Sequence, residues 1–344
     1  MIQPSVISAE NELLGLLTGE GIAPAKRNLF FKNLVEAKYS GSDARAIFTL
    51  LGRNGEKNED LLVAWNAIRD AEKTAVPFNQ SCLDTCGTGG DASHSINLST
   101  LSSVVMAAAG VCVLKHGNRA ITSRCGSSDL LAAFGYNLNA DVSRVLASAR
   151  QIKMGYFHAP AVHPVYARFQ GLRRSLRVRT LFNLLGPVLN PVAVSYQLLG
   201  TAELRLLKLY ETLLPKIGRK RALVFMGAEG MDEITSLGST QGVLLNGTKT
   251  QKWVLNPLKL GFKKGKKSEL QIHSVEHAKK RSVAILKNKQ PGTARDSVVL
   301  SAAAGIFVFD ERISFSEAVC QAKQAVDSGK AWVVLNELVR ISNL

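Results

Sequence analysis

The sequence predicts an α/β protein in which a small N-terminal helical domain precedes a large α/β domain with a mostly parallel central sheet. Apolar residues recur at helical spacing through residues 9–73, with glycine-containing breaks between the segments. After Pro77 the pattern changes to short apolar strands, glycine loops and helices in alternation, which is typical of a parallel sheet. We therefore expect domains at residues 1–76, joined by helices around 165–183, and at 77–344.

The individual elements follow from periodicity and turn residues. The first domain is expected to contain helices at Ala9–Leu17, Ala25–Tyr39, Ser42–Leu51 and Asn58–Lys73. The second is expected to contain strands at Cys82–Cys86, Val111–Lys115, Tyr196–Gly200, Ala222–Met226, Gly242–Asn246 and Thr250–Leu255. Its helices are expected at Ser95–Ala109, from Ser127 to Phe134, at Arg168–Phe182, Asp296–Phe307 and Phe315–Ser328.

Composition is ordinary for a soluble globular protein, with 46% hydrophobic and 20% charged residues in 344. The N-terminal residues lack the basic and apolar pattern of a secretory signal. The longest apolar run, near residues 104–114, is too short to span a bilayer. Five scattered cysteines are expected to be free thiols, and Cys82 and Cys86 lack a second pair at zinc-finger spacing. We expect a cytoplasmic protein without membrane association.

The net charge of +16 is unevenly distributed. Residues 259–289 contain ten Lys or Arg against two acids. We interpret them as a solvated surface, with nucleic-acid binding as a less favoured alternative because few aromatic residues are present to stack on bases. Residues 142–202 contain no acid, which suits a site for anionic substrates.

Four polar, small-residue motifs lie close together in the chain. They read Asp-Thr-Cys-Gly-Thr-Gly-Gly-Asp (84–91), Asn-Leu-Ser-Thr (97–100), Lys-His-Gly-Asn-Arg (115–119) and Gly-Ser-Ser-Asp (126–129). Residues 92–128 contain no acid but include Lys115, Arg119 and Arg124. Glycines let the backbone approach a phosphate, and bare N–H groups then donate to its oxygens. The region is therefore predicted to bind a polyanion.

Two common phosphate-binding motifs do not explain this region. Residues 87–92 fit G-x-G-x-x-A, but a dinucleotide site expects an acid about twenty residues later, and none occurs before Asp129. A P-loop is excluded because the sequence contains no G-x-x-x-x-G-K-[ST].

The four motifs together resemble anthranilate phosphoribosyltransferases, the enzymes of the second dedicated step of tryptophan synthesis. The resemblance continues through later segments: Ala159-Pro160, His163-Pro164, Leu172–Arg174, Val178–Pro187, Asn190-Pro191, Gly230–Ile234 and Arg295-Asp296. It implies a nucleoside-phosphorylase-like fold, usually in a homodimer. It also implies transfer of phosphoribosyl from phosphoribosyl pyrophosphate to the amine of anthranilate.

The resemblance also assigns ligands to individual residues. Phosphoribosyl pyrophosphate would contact Gly87, Gly90, Asp91, Ser95, Asn97, Ser99, Thr100, Lys115 and Ser127. Mg²⁺ would be held by Ser99, Asp232 and Glu233, and anthranilate by Gly87, Asn118 and Arg173. No catalytic base is assigned with certainty. His116 and His163 are candidates for modest proton handling, although a structural role is favoured for His163.

The chemistry of these residue types is compatible with the assignments. Carboxylates are hard oxygen ligands for Mg²⁺, and a guanidinium fork matches the carboxylate of anthranilate. Taken alone, Asp232 and Glu233 read as a solvated pair and Arg173 as a surface residue, so their roles depend on the motif context. His158 stands where the family usually has an apolar residue and is expected to affect the acceptor pocket.

Two other functions remain open from the sequence. A pyrimidine nucleoside phosphorylase would share the fold, although Asn118 and Arg173 argue against it. A nucleic-acid-binding relative without catalysis would account for the charge, although the intact ligand motifs argue against lost activity.

Overall fold

The protein is described from a computed structural model. The structure describes residues 7–55, 57–72, 76–91, 93–120, 123–176 and 180–344, apart from the side chains of residues 167, 170, 173 and 174. The chain divides into two compact units, residues 1–75 with 162–191 and residues 76–161 with 192–344. Their assignment as a small and a large functional domain stays a prediction.

The elements are numbered in chain order. The helices are α1 (Glu10–Thr18), α2 (Pro24–Val35), α3 (Gly41–Asn54), α4 (Asn58–Glu72), α5 (Leu98–Ala108), α6 (Ser127–Ala133), α7 (Val142–Ile152), α8 (Ala159–Val162), α9 (Pro164–Arg168), α10 (Gln170–Leu176), α11 (Leu181–Leu185), α12 (Leu204–Lys216), α13 (Val275–Leu286), α14 (Thr293–Phe309), α15 (Phe315–Asp327) and α16 (Lys330–Ser342). The strands are β1 (Leu83–Gly87), β2 (Val113–Gly117), β3 (Met154–His158), β4 (Tyr196–Gly200), β5 (Arg221–Met226), β6 (Thr240–Asn246) and β7 (Lys249–Leu255).

The smaller unit has one helical core built from two chain segments. Phe48 of α3 is fully buried, and its ring centroid lies 5.5 Å from that of Phe169 and 5.3 Å from that of Phe182. The buried side chains of Glu72 and His163 also meet, with Oε2 and Nδ1 2.6 Å apart. His163 is therefore a structural histidine, as the sequence predicts. The segment inserted between β3 and β4 completes the core of α1–α4.

A seven-stranded sheet lies at the centre of the larger unit, in the order β3-β2-β1-β4-β5-β6-β7. The strands from β3 to β5 pair in parallel, and β6 and β7 continue the sheet in antiparallel pairing. The predicted α/β class with a mostly parallel sheet is confirmed. In a parallel sheet the loops that follow the strands gather at one edge, where ligands are usually bound.

Two small-residue helices, α5 and α14, pack closely in the core of this unit. Both are buried over most of their length. A Cβ atom at Gly305 would lie 2.0 Å from Sδ of Met106, so a larger residue there would force the helices apart. This packing fixes α5, whose N-terminal end follows the β1 loop.

Several boundaries differ from the sequence-based expectation. The strands expected at residues 82–86 and 111–115 lie at Leu83–Gly87 and Val113–Gly117, in register with β4 and β3. The helix expected from Ser95 begins at Leu98, because Ser95 forms an antiparallel bridge with Gln271.

Other elements were predicted incorrectly or not at all. The single helix expected over residues 168–182 is divided into α9, α10 and α11, and residues 177–179 lie outside the described residues. Six further elements were not predicted: α7, β3, α8, α12, α13 and α16. Among the residues described, no helix has both the length and the apolar character needed to cross a bilayer.

Candidate active site at the carboxyl ends of the strands

The glycine loop, residues 87–91, follows β1. Gly89 and Gly90 have φ angles of +70° and +86°, in the left-handed region that glycine adopts without steric cost. The backbone N–H of Gly89 donates to Oδ2 of Asp232 at 2.7 Å. A backbone donor of this loop therefore already binds a carboxyl oxygen, and a phosphate oxygen would be an acceptor of the same kind.

The acid loop, residues 227–239, follows β5 and lies against the ends of neighbouring strands. A Cβ atom at Gly200 would lie 1.9 Å from the backbone oxygen of Asp232, and one at Gly227 would lie 2.0 Å from that of Glu233. A Cβ atom at Gly87 would lie 2.1 Å from Oδ2 of Asp232. Glycine is required at all three positions for this close approach.

Burial changes the acidity of the two carboxyl groups in the acid loop. Burial raises the pKa of Asp232, which is 9% exposed, and the nearby charge of Asp91 raises it further. Burial also raises the pKa of Glu233; Asp232 adds to this effect, while Lys115 opposes it. A side-chain hydrogen bond between Asp91 and Asp232 also raises the pKa of Asp232, so the two carboxyl groups lie in direct contact. This arrangement would be stabilised by a cation.

The residues present fit Mg²⁺ shared with a bound ligand. Within the described ranges, no group of three or more His, Cys, Asp and Glu side chains is arranged to hold a metal ion. Mg²⁺ is commonly held by one or two carboxylates together with substrate phosphates, so a complete protein cage is not required. Asp232 and Glu233 match that donor set.

The N-terminal end of α5 faces the acid loop. The backbone N–H of Ser99 donates to Oε1 of Glu233 at 3.2 Å. The first turn of a helix favours anions because its N–H groups lack partners within the helix. Thr100 Oγ1 donates to Oγ of Ser127 at 3.0 Å, which joins the α5 end to the start of α6.

The segment before α5 carries two more of the predicted ligand residues. Ser95 Oγ accepts a hydrogen bond from Ser93 Oγ at 3.1 Å. Asn97 Nδ2 donates to the backbone oxygen of Cys125 at 2.8 Å, which holds the α5 start against the loop that follows β2. Asn97 Oδ1 is buried and has no donor among the described residues. This amide is fixed in place and keeps one unused acceptor.

Lys115 supplies a buried positive charge between these loops. Its side chain is 1% exposed and donates to the backbone oxygen of Thr85. Its Nζ also lies 3.4 Å from Oγ of Ser99. Its positive charge opposes the rise that burial causes in the pKa of Glu233. The pair brings a cation and a carboxylate to the same edge of the sheet.

The loop after β2 presents Asn118 at the surface. Asn118 Oδ1 accepts from the backbone N–H of Arg119 at 2.7 Å, so its amide nitrogen remains the available donor. Arg119 pairs with Asp129 at 2.9 Å, and the backbone oxygen of Asn118 accepts from Ser128 N at 3.1 Å. The loop is thus tied to the start of α6.

His116 lies in β2, immediately before this loop. It is buried, and its backbone N–H donates to Asp84 Oδ1.

A chain of three side chains connects α6 with the end of β3. Ser128 Oγ lies 2.6 Å from Tyr156 Oη and 2.8 Å from His158 Nδ1. Burial raises the pKa of Tyr156, so its hydroxyl remains a donor, and Ser128 can then donate to His158. We flagged His158 in the sequence but missed Ser128 and Tyr156, because no local pattern connects them.

The cysteines of these loops are poor nucleophiles. Burial raises the pKa of the Cys125 thiol to about 12, and burial also raises the pKa of the Cys86 thiol. The thiolate is the reactive form, so both thiols are expected to be inert near neutral pH.

The comparisons with known proteins agree with this geometry. A family model described as "Glycosyl transferase family, a/b domain" matches residues 79–332. An anthranilate phosphoribosyltransferase from Herpetosiphon aurantiacus is 36% identical over 313 residues, which cover 91% of this chain and 92% of that protein. The chain belongs to the anthranilate phosphoribosyltransferase family.

Solved structures of this family share the fold. The enzyme from Thermus thermophilus superposes with a TM-score of 0.87 at 32% identity, covering 97% of this chain and 99% of that one. The enzyme from Saccharomyces cerevisiae, in complex with PRPP and Mg, also gives a TM-score of 0.87, covering 97% of both chains at 22% identity.

The structure gives the position of each residue that the family resemblance assigns to a ligand. The residues predicted to bind phosphoribosyl pyrophosphate and Mg²⁺ all lie in the larger unit, on the loops, strand ends and helix starts described above. Arg173 lies on α10 of the smaller unit, and its side chain lies outside the described residues. Its contact with anthranilate, like the other ligand assignments, stays a prediction.

Proposed function

We propose that this protein transfers phosphoribosyl from phosphoribosyl pyrophosphate to the amine of anthranilate and releases pyrophosphate, in the second dedicated step of tryptophan synthesis. The observation that carries the proposal is the meeting of the glycine loop, the α5 end and the acid loop in a member of this family. Backbone donors for phosphate and carboxylates for a cation lie together, as a magnesium–polyphosphate ligand requires.

The donor site would use side chains and backbone from several elements. Its proposed residues are Gly87, Gly90, Asp91, Ser95, Asn97, Ser99, Thr100, Lys115 and Ser127. An unused acceptor supports this set, since Asn97 Oδ1 suits a ribose hydroxyl. Lys115 would place its charge near the leaving pyrophosphate.

Mg²⁺ would be held by Ser99, Asp232 and Glu233 together with donor oxygens. When bound, it would neutralise charge that develops on the leaving pyrophosphate. The raised pKa values of Asp232 and Glu233 support this role, since a divalent cation offsets both the burial and the like-charge repulsion that raise them.

The acceptor would be oriented by Gly87, Asn118 and Arg173. In the reaction the amine nitrogen bonds to the anomeric carbon, the bond from that carbon to pyrophosphate oxygen breaks, and the amine loses one proton. A neutral aromatic amine can attack without prior deprotonation, so positioning and electrostatics would supply most of the catalysis. His116 is a candidate to receive the proton.

We also propose a homodimer in the cytoplasm. The family resemblance supports the homodimer, and the free cysteines support a reducing compartment. Light scattering on the purified protein would measure the mass of the assembly in solution.

The first experiment follows the loss of anthranilate fluorescence in the presence of phosphoribosyl pyrophosphate and Mg²⁺. Loss that needs all three components is the expected result. Phosphorolysis of thymidine or uridine with no such loss would instead favour a nucleoside phosphorylase. Inertness in both assays, with nucleic-acid binding at physiological salt, would favour the non-catalytic alternative.

A further inference from the structure

A lysine-rich stretch, residues 261–268, borders the proposed donor site. We call it the lysine segment. Its four lysines are solvent-exposed or partly exposed, and they are Lys263, Lys264, Lys266 and Lys267. From the sequence alone, these lysines are expected to form part of a solvated surface.

Backbone contacts join the lysine segment to the acid loop. The N–H of Gly265 donates to the backbone oxygen of Ser236 at 2.9 Å, three residues after Glu233. A Cβ atom at Gly265 would lie 2.7 Å from Oγ of Ser236 and 2.5 Å from Cγ2 of Thr293. Lys266 N also donates to Oγ1 of Thr293 at 3.0 Å. The segment is therefore fixed against the loop that carries the two acids.

The residues that follow the segment join it to the approach to α5. Ile96 N donates to the backbone oxygen of Leu270 at 2.8 Å, and Ile272 N donates to that of His94 at 3.0 Å. Ser95 and Gln271 lie between these bonds as an antiparallel bridge. One short stretch of chain thus contacts both loops that are proposed to hold the donor.

Most of the positive charge of the segment is not neutralised by ion pairs. Lys267 pairs with Glu229 of the acid loop at 2.8 Å. In the described part of the chain, no salt bridge is found for Lys263, Lys264 or Lys266. Lys266 interacts electrostatically with Glu269, so Lys263 and Lys264 carry most of the positive charge of the segment that is not offset.

We propose that the lysine segment is an electrostatic capture surface for the polyphosphate donor. This inference rests on the proposed function, because that function supplies the anionic ligand. Charges of one sign beside a cleft raise the association rate of an oppositely charged ligand, and salt weakens the effect. Chemistry at the bound donor is unaffected, so the segment acts on kcat/KM for the donor and leaves kcat unchanged.

A small anion fits this surface better than a nucleic acid. Binding of single-stranded nucleic acid generally needs exposed aromatic rings on which bases stack. Phe262 is the aromatic residue of the segment, and it is buried, at 6% exposure.

The test compares two triple variants with equal changes in charge. The first is Lys263→Gln/Lys264→Gln/Lys266→Gln. The control is Lys216→Gln/Lys220→Gln/Lys249→Gln, whose lysines are exposed and lie near the amino end of β5, at the opposite edge of the sheet. Steady-state kinetics with varied phosphoribosyl pyrophosphate are measured at low and high ionic strength, with donor affinity measured by titration calorimetry.

At low ionic strength, we expect the first variant to lose about tenfold in kcat/KM for the donor, with kcat changed less than about twofold. The loss should shrink to less than about twofold near 0.5 M salt, where the Debye length falls to a few ångströms. The control should match wild type at both salt concentrations. Equal kinetics and donor affinity in all three proteins at low salt would overturn the proposal.

Other outcomes separate this proposal from the proposed function. If wild type shows no turnover but binds the donor, the function fails, and weaker, salt-sensitive donor binding in the first variant alone still supports the capture surface. Unchanged donor binding with a loss of DNA affinity would overturn the proposal in favour of a nucleic-acid surface.

Discussion

The glycine loop and the acid loop meet at the same edge of the sheet, but they hold charge with different groups. The glycine loop offers backbone N–H groups, and Gly89 donates to a carboxylate of the acid loop. The acid loop offers side chains, and the charge of Asp232 is close enough to raise the pKa of Glu233. Backbone donors suit an anion, while the paired carboxylates suit a cation.

The two loops also differ in what burial costs. Backbone N–H groups are neutral, so their burial is tolerated when each donates a hydrogen bond. Buried carboxylates must be protonated or meet a counter-charge. Lys115 is one such charge for Glu233, whereas Asp232 has Asp91 as a like-charged neighbour. The comparison therefore predicts that the acid loop depends on a cation and the glycine loop does not.

The largest effect on kcat/KM is expected for the double variant Asp232→Asn/Glu233→Gln. The amide oxygens can still accept from Gly89 and Ser99, so the loop should keep its place, but the charge that holds Mg²⁺ is removed. We expect kcat/KM to fall by about 100-fold or more. Magnesium titration of the activity measures this directly. Glu229→Gln, an exposed acid in the same loop that pairs with Lys267, is the control, and its kcat/KM should stay within about twofold of wild type at high salt, where the charge of the lysine segment is screened.

Stability provides a second measurement on the same variant. Folding raises both carboxyl pKa values, so the native state binds more protons than the unfolded state. Without divalent cations, the free energy of unfolding should therefore fall as pH rises above the ordinary carboxyl range of about 4 and through the raised native values. The double variant should lack this part of the pH dependence. An equally steep pH dependence of the free energy of unfolding in the variant would contradict its assignment to Asp232 and Glu233.

A smaller effect is expected for Gly200→Ala, which tests the close approach of the acid loop. The added Cβ would lie 1.9 Å from a backbone oxygen of Asp232, so the loop must move. We expect about a tenfold loss of kcat/KM and a loss of stability of about 1–3 kcal/mol. Gly41→Ala, at an exposed helix start with no atom within 4 Å of the added Cβ, should change neither quantity. Full activity in Gly200→Ala would show that the loop position is not critical.

The glycine loop could be predicted from sequence because its signal is local. Gly87, Gly89 and Gly90 are adjacent to a short apolar strand, and the strand–loop–helix order places the loop at the carboxyl edge. The contacts that complete the site are not local. Gly89 meets Asp232, and Ser99 meets Glu233, across more than 130 residues of chain. No periodicity carries that information, and only the family resemblance suggested it.

Missed elements have equally specific causes. β3 contains Gly155 within five residues, which weakens any strand signal. The glycine is needed because a Cβ there would lie 2.8 Å from the backbone oxygen of Val145 in α7. β3 thus forms through pairing with β2 and packing under α7. By contrast, α7 has a clear amphipathic pattern that the sequence analysis could have used.

The smallest effect is expected where the β2 loop is tied to β3 through Ser128. Ser128→Ala leaves the hydroxyl of Tyr156 buried without this partner, which should cost about 1–3 kcal/mol of stability. It also removes the hydrogen bond to Nδ1 of His158. The pKa of His158 is lowered mainly by burial and further by the nearby charge of Arg119. Denaturant unfolding measures the first effect, and kinetics with varied anthranilate measure the second. Because the glycine loop and the acid loop do not bond to the Ser128 side chain, KM for anthranilate should rise a few-fold while KM for the donor stays constant. If both KM values rose together, the β2 loop would contribute to donor binding as well as to acceptor binding. Donor binding would then not be confined to the glycine loop and the acid loop.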